Sequence, residues 1–174
     1  MIDEERLTKG LLELVRIDSP SGQEGAVGER LMEWLVDLGA TVERDAAGNV
    51  LGRLEGHGEP LLLNAHMDTV VPGCGIKPMV ENGVICSDGT TVLGADDKSG
   101  IAIILEAVRT AIEKGIAHPP LDILFTVQEE VGLRGAKAFD VQRLRAHEGI
   151  GLDAGGPLGT IVTSTPSQDS FAAV

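Results

Sequence analysis

Three short apolar runs, Leu61-Leu62-Leu63, Ile123-Leu124-Phe125-Thr126-Val127 and Ile150-Gly151-Leu152, each give way at once to acids or an imidazole. Segments of helical period lie before and between them. A run that is apolar on both faces must be covered on both sides, as in a central strand of a layered sheet. Strands alternating with amphipathic helices at this spacing predict an α/β fold: a mixed, largely parallel sheet with helices on both faces.

The helices are legible from their periodicity and their ends. Leu7, Leu11, Leu14 and Val15 recur on one face after Asp3, which reads as an N-cap with acids in the first turn. Ser21 and Glu24 have the spacing of a capping box ahead of Val27, Leu31, Trp34, Leu35 and Leu38, with Gly39 as the stop. Ile101, Ile104, Leu105, Val108 and Ile112 define a third helix, ended by Gly115 and sealed by Pro119-Pro120. Glu81-Asn82-Gly83 between two short apolar runs predicts a hairpin. A shorter helix is expected over 134–146 and a last strand at Thr160-Ile161-Val162.

Composition narrows the function classes. With 27 Asp+Glu against 14 Lys+Arg and a net charge of -13, the chain lacks the cationic surface that neutralises nucleic-acid phosphates. Its 174 residues can bury a core without disulfide staples. One Trp, three Phe and no Tyr leave few stacking platforms for bases or sugars. No apolar run reaches the length of a membrane span or a signal segment, so the expectation is a cytoplasmic protein with neither a nucleic-acid nor a membrane partner. Cys74 and Cys86 read as reduced, buried and inert thiols.

The polar residues that break the apolar pattern collect at strand ends. His66 and Asp68 follow the first run, Glu129 and Glu130 the second, and Asp153 the third. In open α/β sheets ligands bind at that edge. Asp96-Asp97-Lys98, before the third helix, adds a further contribution after the close approach that Gly94 permits. So many carboxylates in one crevice would repel each other unless cations sit among them, and one imidazole with mixed carboxylates suits zinc. His66 and Asp68 are two apart on an extended segment, which lets Asp68 orient the imidazole. A glycosidase reading of Glu129 and Glu130 fails, because that chemistry needs two carboxyls about 5 to 9.5 Å apart across a bond.

Four segments then resemble the zinc-dependent M20 metallopeptidases, and among them the peptidase T group of tripeptide aminopeptidases. They are Asn64-Ala65-His66-Met67-Asp68-Thr69-Val70; residues 88–100, which include Thr91-Val92-Leu93-Gly94-Ala95-Asp96-Asp97-Lys98; Thr126-Val127-Gln128-Glu129-Glu130-Val131-Gly132; and Gly151-Leu152-Asp153-Ala154-Gly155. The resemblance implies two divalent metal ions, zinc first with manganese or cobalt as alternatives. Asp96 would bridge them, with His66 and Asp153 on one ion and Glu130 on the other. Asp68 and Glu129 match the catalytic acids, and Glu129 would be the general base acting on a metal-bridging water. The implied activity is removal of N-terminal residues from short peptides. An M20-type carboxypeptidase, an N-acyl amino acid amidohydrolase and a non-catalytic metal-binding fragment are the alternatives.

Members of that family are longer. The resemblance therefore makes residues 1–174 a partial catalytic domain, with the lid or dimerisation domain and the C-terminal part absent. One metal site would be incomplete, and the full-length form could be a homodimer. His57, His118 and His147 are expected away from the site.

Overall fold

The computed structural model describes residues 1–157 and 159–164. Helix α1 (Glu4–Arg16) starts where Asp3 accepts the Arg6 N–H at 3.0 Å, as its sequence implies. Helix α2 (Gly25–Asp37) buries Val27, Leu31 and Leu35 and ends at Gly39, whose φ of 84° few other residues adopt. The chain then runs through β1 (Thr41–Arg44), β2 (Val50–Leu54) and β3 (Leu61–His66). Strands β4 (Pro78–Glu81) and β5 (Val84–Ser87) form the expected hairpin around Asn82 and Gly83 as a separate sheet. Helix α3 (Ala95–Glu113), β6 (Leu121–Thr126), α4 (Arg134–Ala138) and β7 (Glu148–Gly151) complete the order.

The main sheet has the order β1-β2-β6-β3-β7. β6, β3 and β7 are mutually parallel, while β2 joins β6 and β1 joins β2 antiparallel. The sheet is thus mixed, and its parallel half carries the chemistry. β6 is central and buried along its whole length. Its Leu121, Ile123 and Phe125 face the main core with residues of α1, α2 and α3, where Leu14, Leu31, Leu35, Ile101 and Ile104 are buried. Leu124 points to the opposite face with Leu51, covered by Phe139 and Leu144.

That second face is where the sequence reading needs correction. No single helix covers 134–146. The α4 helix stops at Phe139, whose extended backbone (φ -73°, ψ 132°) carries its ring into the small cluster with Leu51 and Leu124. A 3-10 turn over Val141–Arg143 follows, with Asp140 accepting the Gln142 N–H. Beyond it Arg145 holds the fully buried Asp122 through Nε at 2.9 Å and its own N–H at 2.6 Å. Residues 160–162 form no strand, and Ile161 and Val162 are exposed. Cys74 is exposed and Cys86 half-buried, so neither is the buried thiol expected. Residues 171–174, where the expected partial domain ends, lie outside the described residues. No helix among those described is long and apolar enough to cross a membrane.

Candidate metal centre

Because β6, β3 and β7 run in parallel, their carboxyl ends meet at one edge. His66 is the last residue of β3, and Asp68 lies two further on. Glu129 and Glu130 follow β6, and Asp153 follows β7. Asp96 arrives from the start of α3, where Gly94 (φ 68°) brings the chain in and Asp96 and Asp97 depart from helical backbone angles. All six site residues expected from the sequence are brought together. Their burial grades outward: His66 (2% exposed) and Asp68 (0%) form the floor, while Asp153 (47%) and Asp96 (72%) stand at the open rim.

The imidazole is the hub. Its Nε2 lies 3.1 Å from Asp96 Oδ1, 3.9 Å from Glu129 Oε2 and 4.0 Å from Asp153 Oδ2. Its Nδ1 is 3.3 Å from Asp68 Oδ1, within ion-pair reach but without hydrogen-bond geometry, so this buried nitrogen has no hydrogen-bond partner among the described residues. Asp68 is therefore positioned to orient the ring, and it is itself held by four donors or cations. Ser21 Oγ donates to Asp68 Oδ2 at 2.6 Å, and the N–H groups of Glu129 and Glu130 donate at 2.9 and 3.2 Å.

The electrostatics follow from burial and crowding. Burial alone would lower the His66 pKa, but Asp68 and then Asp96 and Asp97 hold it up to about 9. Burial would raise Asp68, yet His66, Ser21 and the two N–H groups pull it down to about 2. Glu129, Glu130 and Asp153 are pushed above the ordinary carboxylate range by burial, and neighbouring acids add to the push against the opposing pull of His66. Asp97 is buried behind them and raised to about 7, chiefly by desolvation. Acids held this way are short of positive charge.

The donor set fits a divalent ion. Single ligand atoms from His66, Glu129 and Asp153 lie within 4.8 Å of one another, and so do those from His66, Asp96 and Glu130. One nitrogen with carboxylate oxygens is a donor set that zinc accepts, and manganese and cobalt also take such ligands. His57 and His118 sit together at the opposite end of the sheet, where the His57 N–H reaches the His118 carbonyl. Neither cysteine belongs to a candidate ligand group among the described residues.

A family model described as Peptidase family M28 matches residues 49–171, a span that includes His66, Asp68, Asp96, Glu129, Glu130 and Asp153. The chain belongs to peptidase family M28. The matching model carries the M28 name where the motifs resembled M20, and the relatives of this M28 chain bear out the peptidase T likeness. It is 32% identical over 181 residues to Peptidase T of Vibrio cholerae, covering 82% of this chain and 43% of that protein. The crystal structure of aminopeptidase PepT from Bacillus cereus superposes with a TM-score of 0.87 at 42% identity, covering 89% of this chain and 44% of that one. A tripeptidase from Staphylococcus aureus gives the same TM-score at 41% identity, covering 90% and 45%. The chain spans somewhat less than half the length of these relatives.

The residues that hold the site from behind are not legible in the sequence as site residues. Ser21 and Glu24 do not cap α2, whose start has no side-chain cap. Ser21 is bonded to Asp68, and Glu24 reaches the loop after β6. The only signal was the capping-box spacing itself, a local pattern that says nothing about distant partners.

Proposed function

We propose that this chain carries the metal-binding part of an aminopeptidase that removes N-terminal residues from short peptides, of the tripeptidase kind and with M20-type chemistry. The observation that carries the reading is the convergence of one imidazole and five carboxylates from β3, β6, β7 and the start of α3. The similarity to Peptidase T and to the tripeptidase supports the substrate class.

In this reading His66, Asp96, Glu130 and Asp153 would hold divalent metal ions, zinc first. Such ions supply Lewis acidity toward a scissile carbonyl and make water acidic enough to deprotonate near neutral pH. Glu129 would serve as the general base for that water and return the proton to the leaving amine. Asp68 fixes the imidazole and, through the N–H groups of Glu129 and Glu130, the height of the catalytic loop. A lid or dimerisation domain, a homodimeric assembly and a cytoplasmic location complete the proposal for the whole protein.

The test is hydrolysis of a tripeptide with a free amine against the same peptide N-acylated, with zinc, manganese or cobalt supplied to a protein of the relatives' full length. Cleavage of the free-amine peptide alone supports the proposal. Cleavage of only the blocked peptide points to an amidohydrolase or carboxypeptidase, and metal binding without cleavage of either points to a non-catalytic module.

A further inference from the structure

Four consecutive backbone N–H groups at the end of β6 are all taken by side chains rather than by the sheet. Val127 N–H goes to Asn49 Oδ1 at 3.0 Å, Gln128 N–H to Glu24 Oε1 at 3.0 Å, and Glu129 and Glu130 N–H to the two oxygens of Asp68. At the middle of this run Gln128 adopts φ 53°, the left-handed region that few residues with a side chain occupy. That reversal is what allows the two glutamates, which would alternate across a regular strand, to reach the same crevice.

Glu24 is the acceptor at the reversal itself. Its side chain is 5% exposed and has no basic partner among the described residues. A buried carboxylate without a cation is costly, and it persists where it satisfies donors that would otherwise be orphaned. Oε1 takes both hydrogen bonds, from Gln128 N–H and from Gly22 N–H at 2.8 Å. The neighbouring Ser21 hydroxyl meanwhile anchors Asp68. The loop ahead of α2 thus grips both sides of the metal-centre floor.

We propose that Glu24 is a positioning residue, whose acceptor oxygen sets the left-handed turn at Gln128 and thereby aims Glu129 and Glu130 at the metal centre. The proposal rests on the metal-centre reading of those two glutamates. It differs from a purely local role for Glu24, which would concern only its bond to Gly22 and leave the turn 104 residues away untouched.

The experiment compares wild type, Glu24→Ala and Glu24→Gln in a protein of the relatives' full length, in three readouts: amide hydrogen exchange, zinc affinity by calorimetry, and the visible spectrum with cobalt(II) bound. Gln keeps an oxygen where Oε1 stands, so it should resemble wild type in all three. Ala should speed exchange at Gln128 tenfold or more while the β3–β6 ladder stays protected. It should also weaken zinc binding by about 10- to 100-fold, the cost of losing a residue that orients ligands, and shift the cobalt spectrum. Wild-type exchange at residues 128–130 together with unchanged zinc affinity in Glu24→Ala would overturn the proposal. So would a Glu24→Gln variant as impaired as Ala, since charge rather than the acceptor would then matter. If Ala prevents folding, Glu24→Asp takes its place: one methylene shorter, it should free the Gln128 amide, and protection there would refute the idea. Absence of zinc binding in wild type would sink the metal-centre reading, while the exchange data would still judge the role of Glu24 at the turn.

Discussion

Replacing Glu106 by Gln tests how α1 is held onto the rest of the domain. Glu106 is a buried acid of α3 that accepts from Arg6 Nε at 2.6 Å through Oε2. Its Oε1 accepts from Arg6 Nη2 at 2.9 Å, the Asp3 N–H at 3.0 Å and the Thr110 hydroxyl at 2.8 Å. A Gln whose oxygen takes the Oε1 position keeps three of these bonds and turns its NH2 toward Arg6 Nε, donor against donor. The loss is one charge-assisted hydrogen bond and the ion pair, about 1.5 to 3 kcal/mol. The pKa of Glu106, drawn from 4.5 to about 2 mainly by Arg6, would allow roughly 3 kcal/mol at 1.36 kcal/mol per unit. Arg6 is 35% exposed and screened by water, so the lower half of the range applies, about 2 kcal/mol. For a chain of this length that is a drop in Tm of roughly 4–8 °C at pH 7.

The pH dependence has a definite sign. A carboxyl whose folded pKa lies below its unfolded value stabilises the fold above the unfolded pKa and loses that contribution as pH falls through the folded one. The gap between wild type and Glu106→Gln should be constant from pH 7 down to about 5, then close between about 4.5 and 2. Urea unfolding followed by circular dichroism across this range measures it. Stabilities equal within about 0.3 kcal/mol at pH 7, or a gap independent of pH down to 3, would mean that the Arg6–Glu106 pair does not hold α1 in place.

The remaining predictions concern the site. Glu129→Gln should abolish peptide hydrolysis with metal content intact, and Glu130→Gln should lower occupancy of one ion, both read by metal analysis alongside turnover; the reverse pattern would exchange their roles. Asp68→Asn leaves one of the Glu129 and Glu130 N–H groups, or the Ser21 hydroxyl, facing an NH2. It should also lower the His66 pKa in the metal-free protein, measured by NMR titration, because Asp68 is the largest charge holding that pKa up. Gly100→Ala would drive a methyl into the Asp97 carboxylate and to within 2.8 Å of the Leu152 carbonyl. It should cost about 1–3 kcal/mol in thermal unfolding and weaken zinc binding, since Asp96 and Asp153 flank those contacts.

What the chain's own sequence determined was whatever depends on neighbours along it. Asp3 caps α1 because its carboxylate needs only the Arg6 amide three residues on. The Asn82-Gly83 turn closes β4 on β5 because positive φ is supplied at those two positions. The acids after β3, β6 and β7 were legible as one site because parallel strands must bring their carboxyl ends to one edge, and an interruption of an apolar run marks where each strand stops. Tertiary structure decided what depends on partners far away in sequence. Ser21 and Glu24 have the spacing of a cap, yet their oxygens go to Asp68 and to Gln128, because those buried donors and acceptors would otherwise be unsatisfied. Phe139 ends α4 because burying its ring against Leu51 and Leu124 outweighs another helical turn. The left-handed backbone at Gln128, which brings Glu129 and Glu130 into one crevice, follows from no local signal: it is held by acceptors on Asn49, Glu24 and Asp68, and only the folded chain puts them there.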